Sequence, residues 1–191
     1  MQPRAYSPAI DPLLAVEVAM PLKFGRADDS FRSALESLTL PAALGQRRLF
    51  DDDEAKCCLA ALWLRFDFFE QSHSISQDIE TPSGSYWHGI LHRREGDFWN
   101  AKYWMRRVGR HPAGPQLLAA ARKLASQSDD RELMKLYQSA TTWDPALLVD
   151  FIEASVSKPT AQQTLALQLQ DLEWWLLFDY AYGMATGRAS T

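Results

Sequence analysis

From residue 28 onward, acidic caps and prolines divide the chain into stretches of helix length, and most of them carry apolar residues three and four apart. Aspartate accepts hydrogen bonds from the free N–H groups of a helix start, and proline fits the first helical turn but not the interior. Asp28 or Asp29 is expected to open a helix through Leu38 that Pro41 ends. Asp51, Asp52 and Asp53 open a central helix over about residues 52–71, with Leu59, Leu62, Trp63, Phe66 and Phe69 recurring at helical spacing. After a loop holding Pro82 and Gly84, helices are expected at about 85–94, broken at Gly96, and 97–108, closed by Gly109 and Pro112. Further helices are expected at 114–126, from Asp129 or Asp130 to about Ala140, from Asp144-Pro145 to about Val156, and over 161–186. No alternating β-branched run with hairpin turns occurs. The expected fold is all-α: a single-domain bundle of about seven or eight helices over residues 1–191. Residues 1–27, with Pro3, Pro8, Pro12 and Pro21, form a proline-rich arm with a short helical piece at 13–19.

At 191 residues and 47% hydrophobic, such a chain buries enough apolar surface to fold without a disulfide or a structural metal. Its only cysteines, Cys57 and Cys58, are adjacent in an apolar helical run, where they read as small buried side chains rather than a redox pair. That usage, and an N-terminus lacking a basic region followed by a long apolar run, points to the reducing cytoplasm. The longest apolar stretch, 165–185, is interrupted by Gln168, Gln170, Asp171, Glu173 and Asp179 and does not read as a membrane span. A net charge of −4 argues against general nucleic-acid binding.

That net charge is unevenly distributed. Residues 85–112, SYWHGILHRREGDFWNAKYWMRRVGRHP, hold six basic and two acidic residues, so this segment carries +4 and the rest of the chain −8. The segment also holds His88, His92 and His111, three of the four histidines, with His73 shortly upstream, and six aromatics including Trp87, Trp99 and Trp104. On a helix His88, His92 and Glu95 share one face, a spacing at which two imidazoles and a carboxylate can hold one metal. The zinc-protease pattern HExxH is absent, because position 89 is glycine. Glu70-Gln-Ser-His73 resembles half of a di-iron ExxH pattern without its second half. On the following helix Trp99, Tyr103, Arg106 and Arg110 share one face, and Asn100, Trp104 and Arg107 another. Arginine forks bind carboxylates and phosphates and stack on aromatic planes. The alternative partners of these arginines are internal carboxylates. Asp67 and Glu70 are expected on one stripe with Trp63, and Glu173 and Asp179 lie in an apolar stretch where an unpaired charge is costly.

The 85–112 string, with FDFFEQSHSISQ at 66–77 and, faintly, LEWWLLFDYAYG near the C-terminus, resembles a family of small bacterial and fungal proteins. The resemblance implies no activity, cofactor or site residue.

Three functions are compatible with these residues. The first is a pocket for a small anionic molecule, built from His73, His88, His92, Arg93, Arg94, Trp99, Tyr103, Arg106 and Arg107, with His88 or His92 transferring protons if chemistry occurs. The second is a non-catalytic helical scaffold with a buried polar network. The third is a metal-dependent enzyme, with a transition metal held by His73, His88 and His92 and completed by Glu95 or Glu70. No GxSxG elbow and no phosphate-binding glycine loop accompanies them.

Overall fold

A computed structural model of the chain describes residues 6–18, 20–45, 48–128, 135, 137–157 and 160–188. The fold is all-α, and no strand occurs among the described residues. The helices are α1 (Asp11–Leu14), α2 (Arg32–Glu36), preceded by a 3₁₀ turn at Asp29–Phe31, α3 (Leu40–Ala43), α4 (Asp52–Arg65), α5 (Phe69–Ser76), α6 (Pro82–Glu95), α7 (Phe98–Val108), α8 (Gly114–Ser126), α9 (Pro145–Ser155) and α10 (Thr160–Thr186).

Capping chemistry sets most of the starts. The Asp28 side chain accepts from the Ser30 N–H, Asp51 from those of Asp53 and Glu54, Asp97 from that of Asn100, and Asp144 from that of Ala146. Three expected boundaries move. The first helical piece is Asp11–Leu14, with Pro12 in its first turn, rather than 13–19. The helix expected from Asp28 to Leu38 divides into the 3₁₀ turn and α2, and Pro41 lies within α3. Helix α6 begins at Pro82, not residue 85, because the Thr81 hydroxyl caps the Gly84 N–H at 3.1 Å and Pro82 takes the first helical position, where its missing donor costs nothing. The helix expected at 129–140 falls largely outside the described residues, although Lys135 and residues 137–139 are helical.

The largest difference lies in the expected 52–71 helix, which stops at Arg65. Asp67 takes a left-handed backbone conformation (φ 63°), which aspartate tolerates better than most residues. The chain then turns back, and the Ser72 hydroxyl donates to the Ala60 carbonyl at 2.9 Å, holding α5 against α4. Trp63, Asp67 and Glu70 therefore do not form one stripe: Trp63 is buried, Asp67 pairs with Arg94, and Glu70 is exposed.

Helices α6 and α7 form a tight antiparallel pair. Gly96 closes α6 with φ 89°, and the Gly96 and Asp97 N–H groups return to the Arg93 and His92 carbonyls. Asp97 then caps α7 immediately. Gly89 lets Met105 of α7 pack onto the α6 backbone, since a Cβ there would stand 3.0 Å from the Met105 sulfur. A large apolar cluster includes Trp63, Trp87, Leu91, Trp174 and Phe178, and a smaller one includes Leu118, Tyr137, Leu148 and Leu169. Phe98 and Trp143 pack against both. Cys57 and Cys58 are buried and free, and burial pushes both thiols well above their usual range, as suits structural rather than reactive cysteines. Among the described residues no helix is long and apolar enough to cross a membrane.

Candidate functional site

Helix α6 is buried along almost its whole length, so its polar residues must find internal partners. The arginines find carboxylates. Arg93 donates through Nη2 to Glu173 Oε2 at 2.6 Å, and Glu173 Oε1 accepts from the Tyr86 hydroxyl at 2.9 Å, whose oxygen in turn accepts from Trp143 Nε1 at 2.6 Å. Arg94 donates to Asp67 at 2.5 Å, to the Leu64 carbonyl at 2.6 Å and to the Pro21 carbonyl at 3.2 Å, and it lies over the Phe24 ring. It thus ties the end of α4 and the N-terminal arm to α6. Both side chains, expected to face a ligand, instead hold the bundle together. Glu173 does draw its counter-charge from the 93–110 arginines, as its apolar surroundings require.

The histidines turn to another side of α6. His88 and His92 sit one helical turn apart, and the fold-back at Asp67 carries His73 of α5 over them. One ligand atom from each of the three residues lies within 4.8 Å of the others. The Nε2 atoms of His88 and His92 face each other at 2.9 Å. Both outer nitrogens are occupied: His88 Nδ1 is 3.0 Å from the Ser76 hydroxyl, and His92 Nδ1 is 2.9 Å from a Glu95 carboxylate oxygen. With both rings neutral, the network assigns the protons. Glu95 only accepts, so His92 carries its hydrogen on Nδ1 and presents a lone pair at Nε2. His88 accepts from Ser76 and donates from Nε2 to that lone pair. Burial, and then the neighbouring His92 and His73, lowers the His88 pKa to about 3, so this ring is neutral at ordinary pH.

Aromatic rings and one amide wall the cluster. Trp104 of α7 lies on His88 with ring centroids 4.2 Å apart, Phe69 stacks on His73 at 5.6 Å, and Asn100 Nδ2 is 3.1 Å from His92 Nε2. His73, Asn100 and Trp104 are half-exposed, so the cluster is open on the α5 and α7 side. Of the carboxylates expected to complete it, Glu95 engages the far nitrogen of His92, and Glu70 is exposed and absent from the cluster. Trp99 is 76% exposed, Tyr103 is 40% exposed, and Arg106, Arg107 and Arg110 are all exposed. Arg107 lies over the Trp104 ring at 5.1 Å and donates to the Tyr103 hydroxyl at 3.4 Å.

Two polar arrangements were not anticipated from sequence. Ser76, which fixes the His88 ring, follows His73 by three residues, and only the helical period could have flagged it. Near the start of α6, His111 accepts from the Ala113 N–H at Nδ1 and faces the Ser83 hydroxyl at 3.0 Å through Nε2. Ser83 donates to Glu54 at 2.5 Å. Burial lowers His111 to about 4 and raises Glu54 to about 7. Since His111 Nε2 carries the hydrogen, it cannot accept the Ser83 proton, so the trio is not a nucleophile with its base.

No known protein family matches this chain, and neither a curated protein nor a solved structure is similar to it.

Proposed function

We propose that the protein binds one divalent transition-metal ion through His73, His88 and His92 and acts there on a small anionic molecule. The observation that carries this reading is the convergence of three imidazoles from two helices with the outer nitrogens of two of them already taken by a serine and a carboxylate. Metal-ligating histidines are oriented in this way, by an acceptor or a hydroxyl on the nitrogen that does not face the ion. Three histidines leave at least one coordination position open, where an ion can polarise a substrate oxygen or activate water. Neighbouring nitrogens around tetrahedral zinc stand about 3.3 Å apart, so the half-exposed His73 moves inward on binding and the proton between His88 and His92 leaves. Asn100 stands beside the open side as a hydrogen-bond donor, and the exposed arginines of α7 supply positive charge for an anion.

Elemental analysis of the purified chain, after dialysis against zinc, cobalt or iron(II) and removal of excess, tests the reading. About one equivalent of metal is expected, with loss of most of it in His88→Ala while the far-ultraviolet dichroism stays unchanged. Wild-type protein that retains less than about a tenth of an equivalent of every ion overturns it. A second reading, a metal-free polar interior that only fixes helix packing, is favoured by the 2.9 Å contact already closing the two Nε2 atoms. It predicts that no metal raises the melting temperature.

A further inference from the structure

Helix α7 continues the site outward. From His88 the rings run without interruption to the surface: Trp104 lies on His88, Tyr103 stands edge-on to Trp104 with centroids 5.5 Å apart, and Arg107 covers Trp104 and touches Tyr103. Trp99 is one turn before Tyr103 on the same face and is the most exposed large apolar side chain among the described residues. Arg106 extends that face, whereas Arg110, expected there from its spacing, lies beyond the end of α7 at Val108, past Gly109 (φ 59°). Neither Arg106 nor Arg107 has an ion-pair partner among the described residues. The protein is acidic overall, and its internal carboxylates have recruited Arg93 and Arg94, not these arginines. An exposed tryptophan costs solubility and gains nothing from packing, so its place beside guanidinium groups that have no carboxylate partner among the described residues calls for a partner with both a flat face and negative charge.

The geometry points to a substrate that carries a planar aromatic ring together with a phosphate or carboxylate, of the nucleoside monophosphate type. Its ring stacks on Trp99 and Tyr103, and its anionic group is held by Arg106 and Arg107, the latter lying over the Trp104 ring that covers His88. This deepens the metal-centre reading and rests on it only for what happens at the anionic group. Stacking of a base on an aromatic side chain strengthens binding by roughly tenfold.

The test is titration of the metal-loaded and the metal-stripped protein with adenosine monophosphate, ribose 5-phosphate and inorganic phosphate, followed by calorimetry. Adenosine monophosphate is expected to bind about tenfold more tightly than ribose 5-phosphate. Trp99→Ala is expected to erase that difference, and Arg106→Ala with Arg107→Ala to weaken both esters alike. Trp99 is exposed, so its removal leaves the fold intact, which a thermal melt checks. Equal binding of the two esters, or a preference that survives Trp99→Ala, overturns the inference. Metal content is measured in the same samples: a ring preference in a chain that holds no metal sinks the metal-centre reading and leaves this one standing, and the reverse result does the opposite.

Discussion

Two neighbouring pairs of basic residues on α6 illustrate how side-chain chemistry decides between structure and chemistry. Arg93 and Arg94 are fully buried, yet a guanidinium cannot shed its proton, so each must be paired inside the protein. Glu173 and Asp67 supply the pairs, and the arginines are spent on joining helices. His88 is almost as buried but stays neutral, so it can be enclosed without a counter-ion, and the buried His92 faces only the Glu95 carboxylate at its outer nitrogen. Their Nε2 atoms are left facing each other, held by Ser76 and Glu95 from behind. The same helix thus carries a closed electrostatic clamp on one side and two facing imidazoles on another.

The largest expected break of this contrast is on the clamp. Glu173→Leu leaves Arg93 charged, buried and unpaired, and should cost about 3–5 kcal/mol of stability in denaturant unfolding. Adding Arg93→Met should recover most of that loss. A double variant no more stable than the single one would show that the pair is not the unit at work. Metal content should not change in the folded fraction of either variant.

On the histidine side the balance reverses. Glu95→Gln removes an exposed carboxylate and should change stability by no more than about 0.5 kcal/mol. It should weaken metal affinity roughly 10–100-fold, because His92 loses the partner that orients it and raises its basicity. Competition with a coloured chelator measures this, and unchanged affinity would place Glu95 outside the site.

The start of α6 belongs to neither pair and serves as a control with opposite pH signs. Glu54 has a folded-state pKa of about 7 against an ordinary 4.5, so its contribution is fully present below pH 4.5 and is lost as pH rises toward 7. His111 has a folded-state value of about 4 against 6.5, so its contribution is fully present above pH 6.5 and is lost as pH falls toward 4. Glu54→Gln removes the first slope and keeps the second. Relative to wild type it should gain on the order of 2 kcal/mol between pH 4.5 and 7. Parallel unfolding curves for the two proteins across that range would refute the buried-acid account.

Much of this was legible in the chain. The aspartate caps mark where α4, α7 and α9 begin, because a cap is a local interaction between residues two or three apart. The His88–His92 face follows from helical geometry alone. What could not be read was where separate helices meet. Nothing in Phe66-Asp67-Phe68, with no glycine or proline, announces a reversal, and the left-handed turn at Asp67 is bound up with a guanidinium 27 residues away. The same holds for the arginines: composition shows an excess of positive charge in 85–112, but only the fold shows Arg93 and Arg94 neutralised internally while Arg106 and Arg110 point outward. Periodicity placed Glu95 beside the histidines, but it engages His92 Nδ1, the nitrogen turned away from His88, rather than joining the facing ring nitrogens as a further ligand.

The reversal at Asp67 has a consequence for how this chain can vary in length. His73 is delivered to His88 and His92 by the six residues that follow the turn, and each residue of helix rotates a side chain by about 100°. A single insertion or deletion between Asp67 and His73 would therefore swing the imidazole to another side of α5, and Ser76 with it. Insertions before Asp51, or in the link between α8 and α9, carry no such penalty. The spacing of six is a counted interval, and it is the part of the chain where length is least free to drift.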